Sequence, residues 1–91
     1  MRTLSREINL NGYTYVQVLN GKRTYVYEQR GVSNMRCFEV FEKNTLEPKE
    51  IMGKKYPKRE VFPKNDDFGI TAWTYCDYNK AIEKYNELES I

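Results

Sequence analysis

The densest group of chemically active side chains in this 91-residue sequence is the segment Lys54-Lys55-Tyr56-Pro57-Lys58-Arg59. Four of its six residues are cations that could contact the phosphates of a nucleic acid, and the tyrosine could stack on a base. The same composition also occurs in solvated loops that keep a small protein soluble. The segment is therefore a candidate site for an anionic partner, with a solvated loop as the alternative.

The residue types that carry most enzyme and metal chemistry are scarce. The chain has no histidine, which is the commonest general acid–base, and its two cysteines form no CxxC pair. Asp66 and Asp67 adjoin, but neighbours in an extended segment point to opposite sides. Asp67-Phe68-Gly69 spells a short kinase signature, but the other kinase motifs are absent. We therefore predict a non-enzymatic protein with no catalytic residue, no metal site and no cofactor.

The sequence also carries indications of compartment. No apolar run approaches the roughly 20 residues that cross a bilayer, and the first ten residues lack the apolar segment of a secretory signal. We therefore predict a cytoplasmic protein with no membrane partner. In that compartment Cys37 and Cys76 should be reduced, buried thiols, and a disulfide between them is the alternative.

The strongest structural signal is Asn20-Gly21, which separates two β-prone runs within Tyr13 to Gln29. A two-residue type I′ turn here places Val16 opposite Tyr25 and Val18 opposite Arg23, and opposed residues share a face. One predicted face carries Val16, Val18, Tyr25 and Tyr27, and the other carries Tyr13, Tyr15, Leu19 and Val26. Both faces are partly apolar, so each needs a cover.

Further strands are predicted on both sides of this hairpin. Alternation from Thr3 to Leu10 predicts a first strand, and Asn11-Gly12 predicts the turn that follows it. A turn containing Arg30-Gly31 and Ser33-Asn34 is expected before a strand from Met35 to Lys43. These segments together predict an antiparallel meander over about residues 3–43.

The second half of the chain changes character. Residues 44–66 contain all three prolines, so we predict a long ordered basic loop with a short edge strand at Arg59 to Phe62. Residues 68–76 are predicted as a last strand or an extended lead-in. Residues 77–90 are predicted as a helix with Asp77 as its N-cap.

These elements predict one α+β domain over residues 1–91, in which a meander of four to five antiparallel strands packs against one C-terminal helix. Residues 1–64 hold 13 Lys or Arg against 7 Asp or Glu, whereas residues 65–91 hold 2 Lys against 6 acids. The sheet and loop should therefore form a basic side and the helix an acidic side.

Because one helix can cover only one sheet face, we expect the other face and the 44–66 loop to bind a protein or nucleoprotein partner. The predicted partner-binding residues are Tyr13, Tyr15, Arg23, Lys54, Lys55, Tyr56, Lys58 and Arg59. One alternative is a direct DNA- or RNA-binding module that uses residues 54–59. A second alternative is a homodimer in which the second apolar face pairs with itself.

The C-terminal third carries a recognisable pattern, F-G-x-x-A-W-x-Y followed by a capped K-A-x-x-K-Y helix. Its residues are Phe68, Gly69, Ala72, Trp73, Tyr75, Lys80, Ala81, Lys84 and Tyr85. With this pattern the chain resembles small uncharacterised proteins encoded by gut-type bacteria and by phages or mobile elements. The resemblance implies a compact, non-enzymatic protein that binds and modulates a host machine, for example as an inhibitor of a defence nucleoprotein such as a CRISPR effector. It supplies no catalytic residue.

Overall fold

The computed structural model describes residues 1–31 and 36–91. These residues contain nine strands and one α-helix. The strands are β1 (Glu7–Leu10), β2 (Tyr13–Asn20), β3 (Thr24–Arg30), β4 (Cys37–Glu42), β5 (Asn44–Leu46), β6 (Lys49–Ile51), β7 (Lys54–Tyr56), β8 (Arg59–Val61) and β9 (Ala72–Tyr75), and the helix is α1 (Tyr78–Glu89).

An antiparallel five-stranded sheet forms the centre of the protein, in the order β1-β2-β3-β4-β9. Its first four strands are consecutive in the chain, and β9 returns to pair with β4. The helix packs on the same sheet, against β3, β4 and β9. The predicted α+β fold with one C-terminal helix is therefore confirmed.

The first predicted hairpin turn is confirmed. Leu10 pairs with Tyr13, which leaves Asn11 and Gly12 as a two-residue loop. Their φ angles are 54° and 82°, as a type I′ turn requires. Asparagine and glycine tolerate these positive angles better than other residues, so the local sequence decides the geometry.

The predicted register of the central hairpin is wrong. Asn20 pairs with Tyr25, so the loop is longer than two residues, and Val16 pairs with Glu28. The register also shifts at a bulge between Gln17 and Leu19. Neither Asn20 nor Gly21 has a positive φ angle, so the turn is not of type I′.

A contact from the far end of the chain explains the longer loop. The Glu89 carboxylate accepts hydrogen bonds from the backbone N–H groups of Lys22 and Arg23, at 2.5 and 2.7 Å. Gly21 lies so close to this carboxylate that a side chain there would collide with it. The end of the helix therefore fixes the loop, which turn preferences alone cannot reveal.

The helix begins and ends close to the predicted residues. Asp77 is its N-cap, and the side chain accepts a hydrogen bond from the backbone N–H of Asn79 at 2.9 Å. Ala81 and Leu88 are buried against the sheet residues Val26 and Val40, which lie on what we call the helix face. Ala81 and Leu88 thus hold the helix on the sheet.

A disulfide joins Cys37 to Cys76, across 39 residues of sequence. The expectation of two reduced thiols is therefore wrong, and the alternative holds. By the register of β4 and β9, in which Phe38 pairs with Tyr75, the two cysteines occupy the next opposed position of the ladder. Sequence spacing cannot reveal this pairing, because it depends on β9 returning beside β4.

Charged groups close the same end of the sheet. The buried Glu28 carboxylate binds Arg36 and Arg30, the latter at 2.8 Å. Hydrogen bonds from Arg36 and then Arg30 lower the pKa of Glu28. The predicted turn residues Ser33-Asn34, and Met35 at the start of the predicted strand, lie outside the described residues.

Within the described ranges, no helix has the length and apolar character needed to cross a membrane.

Candidate partner-binding arm

Residues 44–61 form a β-ribbon, here called the arm, where a long ordered loop was expected from the prolines. Asn44 pairs with Val61 at its base and Ile51 pairs with Lys54 near its tip. Both ladders share one register, so the pairs between them belong to a single long hairpin. The short edge strand expected at Arg59 to Phe62 is present as β8.

Two prolines explain why this ribbon is divided into two ladders. The common register places Pro48 opposite Pro57, and neither residue has an N–H group to donate to its neighbour. Outside them, Glu47 lies opposite Lys58, and their side chains form an ion pair at 3.7 Å. The prolines interrupt the hydrogen bonds of the ribbon without changing its course.

The tip of the arm is a second turn with positive φ angles. Met52 and Gly53 have φ angles of 50° and 82°, close to those of Asn11 and Gly12. Methionine rarely occupies this left-handed region, because its Cβ approaches the following carbonyl oxygen. For that reason Met52-Gly53 does not read as a hairpin turn in the sequence, apart from its glycine.

The arm projects into solvent. Every residue from 46 to 59 is exposed, and the Met52 side chain is fully exposed, at 100%. Ile51 and Tyr56 are also large and exposed, at 47% and 45%. The outer arm therefore presents apolar groups that the described residues do not cover.

Buried contacts fasten the base of the arm to the sheet. The Glu60 side chain is buried and accepts hydrogen bonds from the Tyr25 hydroxyl at 2.5 Å and from the Leu4 backbone N–H at 3.0 Å. The backbone of Arg2 runs beside β8 and accepts a hydrogen bond from the Glu60 N–H at 2.8 Å. The arm thus extends from an anchored base.

The residue after the arm covers the second sheet face. The Phe62 ring lies 4.8 Å from the ring of Tyr15, 5.7 Å from that of Tyr27 and 5.1 Å from that of Phe41. These rings belong to what we call the tyrosine face, whose buried residues are Tyr15, Tyr25, Tyr27, Phe41 and Ala72. Leu4, Ile8 and Phe68 complete the cover. The expectation that this face is left open is wrong.

Three of the predicted site residues lie outside the arm. Tyr15 is only 9% exposed and belongs to the core, whereas Tyr13, at the start of β2, keeps 41% of its surface. Arg23 lies in the β2–β3 loop, where its carbonyl oxygen accepts a hydrogen bond from the Lys43 N–H at 2.8 Å. Arg23 is therefore near the base of the arm, whereas Tyr13 and Tyr15 belong to β2 and are not part of the arm.

The other five predicted site residues are brought together. Lys54, Lys55 and Tyr56 form β7, and Lys58 and Arg59 follow on the same strand of the arm. The structure adds residues that the sequence did not indicate. The added residues are Arg2 beside β8, Lys49 opposite Tyr56, and the apolar tip residues Ile51 and Met52.

Charge and shape together define what the arm can contact. Residues 47–59 carry five cations and two anions. One anion, Glu47, is paired with Lys58, and the other, Glu50, lies opposite Lys55. A shallow groove of about 570 Å³ runs between Pro48 and Tyr56, with lysines at its rim. The arrangement suits an anionic partner that also offers apolar surface.

The chain matches no protein-family model, no curated protein and no solved structure.

Among the described residues, no three His, Cys, Asp or Glu side chains are grouped closely enough to hold a metal ion. The buried acid Glu39 lies on the tyrosine face and accepts a hydrogen bond from the Thr74 hydroxyl at 2.6 Å. Burial raises the pKa of Glu39, and the Thr74 bond opposes this only in part.

This raised pKa predicts a pH-dependent effect of Glu39→Gln. The unfolded chain ionises near the ordinary value of 4.5 while the folded carboxyl still holds its proton. The contribution of Glu39 to the free energy of unfolding is therefore fully present below that value. It is lost as the pH rises through the pKa of the folded carboxyl. We expect Glu39→Gln to stabilise the protein at about pH 7 and to have little effect at about pH 4.

Urea unfolding at the two pH values measures this difference. The exposed residue Glu83 provides a control, because Glu83→Gln should have the same small effect at both. An effect of Glu39→Gln that does not depend on pH would contradict the assignment of a raised pKa.

The strained tip predicts that Met52→Asn stabilises the arm. Asparagine tolerates the positive φ angle better, so the arm should close more favourably by about 1 kcal/mol, which is about a fivefold smaller open fraction. Hydrogen exchange of the arm amides measures this fraction. Met52→Leu keeps the strain and should leave exchange unchanged, and faster exchange in Met52→Asn would contradict the prediction.

Proposed function

We propose that this protein is a non-catalytic binding protein that engages a protein or nucleoprotein partner through the arm. The observation that carries the proposal is that residues 46–59 are all exposed and include large apolar side chains, while the chain's own residues cover both sheet faces. Exposed apolar groups surrounded by charge are typical of interaction sites.

The small size of the protein supports the same proposal. A chain of this length buries only about 60–65% of its unfolded surface, so its stability depends on using apolar residues well. Ile51 and Met52 contribute nothing to the described core, and Met52 also occupies a strained backbone position. Strain and exposure at one residue are characteristic of functional sites.

The resemblance to proteins of phages and mobile elements suggests the biological role of this binding. Under it, the partner would be a host machine, and inhibition of a defence complex such as a CRISPR effector would follow from steric occlusion by the arm. A homodimer built on the second apolar face is not proposed, because Phe62 and its neighbours cover that face.

An armless variant tests the proposal. Leu46 pairs with Arg59, so residues 47–58 can be replaced by Asn-Gly to close a short type I′ hairpin at this pair. The variant should fold, because the replaced residues are all exposed. Near-ultraviolet circular dichroism and the melting temperature check the fold.

Affinity capture from the native host, followed by mass spectrometry, then compares the wild-type and armless proteins. We expect at least one partner that the wild type retains and the armless protein loses. A control in which Lys22 and Lys80, both exposed and outside the arm, are changed to alanine should retain it. If the armless protein captures every partner of the wild type in equal amount, the arm is excluded as the binding element.

A further inference from the structure

We infer that the partner of the arm is a nucleoprotein, and that the arm contacts its double-stranded DNA by entering the major groove. This inference rests on the proposed function and names the chemistry of the partner. It follows from three features of the described residues: the shape of the arm, the distribution of its charges, and the nature of its tip.

The shape of the arm fits one kind of groove. It is a two-stranded antiparallel ribbon, and the major groove of B-form DNA, about 12 Å wide, admits a ribbon of this kind. The major groove of A-form RNA is deep and too narrow for side chains to read. The eight residues from Asn44 to Ile51 span about 25 Å, so the ribbon is long enough to reach from the base to the groove floor.

The cations are placed on both strands and both faces of the ribbon. Side chains alternate along a strand, so Lys54 points to one face and Lys55 to the other, and Lys49 lies on the facing strand. A ribbon inside a groove has phosphates on both sides, and this distribution offers a cation to each. Arg2, held beside Arg59 at the base, adds a further cation where the ribbon leaves the sheet.

The two acids of the outer arm do not oppose this distribution. Glu47 is paired with Lys58 at 3.7 Å, and Glu50 lies opposite Lys55. Removal of the second acid, Glu50, should therefore take away a negative charge that repels the DNA phosphates. Glu50→Gln should therefore increase the affinity for DNA. Such a gain is informative, because a mutation that only disrupts the fold rarely increases affinity.

The tip supplies the apolar contact. Met52 and Ile51 would be the first side chains to reach the bases, and apolar side chains contact the thymine methyl group or the base edges. A polar residue without strain, such as asparagine, would suit a tip that only turns the chain. The presence of methionine in spite of the backbone strain is explained by such a contact.

Fluorescence anisotropy with a labelled DNA duplex of about 20 base pairs, at about 50 mM salt, tests the inference. Single-stranded DNA and an RNA duplex of the same sequence serve as competing probes. We expect the DNA duplex to bind tightest. A triple variant, Lys49→Ala, Lys54→Ala and Lys55→Ala, should weaken binding at least about tenfold, and should lower the slope of log affinity against log salt by about 2.7.

The matched control removes the same charge outside the arm, through Lys22→Ala, Lys64→Ala and Lys80→Ala, all exposed. It should change the affinity less than about threefold. Met52→Asn should weaken binding although it stabilises the arm, Met52→Leu should not, and Glu50→Gln should strengthen it. This opposition between stability and affinity separates a contact from a folding defect.

Three results would overturn the inference. The first is the absence of an anisotropy change with the DNA duplex at low salt, and the second is equal weakening by the arm and control triple variants. The third is tighter binding of the single-stranded DNA or the RNA duplex than of the DNA duplex. If DNA fails while the armless protein still loses its host partner, the proposed function stands and the partner is a protein surface. If both experiments fail, the arm is not a binding element.

Discussion

Replacement of Cys37 and Cys76 by serine is expected to lower the free energy of unfolding by about 4 kcal/mol, the largest single loss that the structure predicts. The disulfide closes a segment of 39 residues that includes the whole arm and β9. Removing this closure increases the conformational entropy of the unfolded chain, and longer loops have larger effects. For a protein of this size such a loss is a large fraction of the total stability.

Urea unfolding of the wild type with and without reductant, beside the double serine variant, measures this loss. The reduced wild type and the serine variant should agree, and reductant should not affect the variant. Alkylation of the folded protein without reductant, followed by mass measurement, provides the independent check. Two alkylated cysteines in the air-oxidised protein would contradict the disulfide.

The disulfide also bears on the cytoplasmic location predicted from the sequence. Structural disulfides persist mainly in oxidising compartments, whereas cytosolic thiols are usually kept reduced. The cytoplasmic location therefore remains a prediction, and the redox state of Cys37 in cells tests it. Rapid acid quenching and alkylation of host cells would show reduced thiols in the cytoplasm and a disulfide in an oxidising compartment.

Replacement of Phe62 by alanine is expected to cost about 3 kcal/mol of stability, in the range for a large aromatic core side chain that keeps some exposure. The Phe62 ring contacts Tyr15, Tyr27 and Phe41 and covers the tyrosine face. Its loss leaves a cavity and exposes apolar surface of the tyrosine face. The variant should therefore also bind a dye that detects exposed apolar groups.

Tyr56→Ala is the matched control, because Tyr56 is an aromatic residue of the arm, only six residues before Phe62, and is exposed. A surface substitution of this kind usually changes stability by less than about 0.5 kcal/mol. Thermal unfolding and dye binding of the two variants should separate them clearly. Equal losses would mean that Phe62 does not cover the sheet.

The parts of the fold that were predictable are those decided by neighbours in the sequence. Asn11-Gly12 forms its hairpin because both residues tolerate the φ angles of a type I′ turn. Helix α1 begins after Asp77 because the cap and the apolar spacing act within the same segment. Neither feature requires a distant contact.

The parts that were mispredicted depend on distant contacts. The Asn20-Gly21 turn differs from the expected type I′ turn because the Glu89 carboxylate, nearly seventy residues away in the chain, binds the backbone N–H groups of this loop. Prolines normally indicate loops or sheet edges, but Pro48 and Pro57 lie opposite each other, so both missing N–H groups fall at one position of the ribbon. The arm was not predicted, because each proline disfavours a strand when it is considered without the residue opposite it.

The same distinction applies to the candidate site. The cations and Tyr56 in residues 54–59 were identified by composition alone, and the structure places them on one projecting strand. Lys49, Arg2 and Met52 were missed, because their place beside these residues depends on the register of the ribbon and on the N-terminal segment. Tyr15 was included because the predicted register was wrong and because the packing of Phe62 on its face was not foreseen.

Hydroxyl-radical footprinting of the tyrosines tests the central claim that the sheet faces are covered by the chain itself and that the arm is open. Comparison within one residue type removes differences in chemical reactivity. Tyr56 and Tyr13, at 45% and 41% exposure, should be oxidised much faster than Tyr25 and Tyr27, at 1% and 0%. Oxidation of Tyr25 and Tyr27 at the rate of Tyr56 would contradict the account, because the tyrosine face would then be open to a partner.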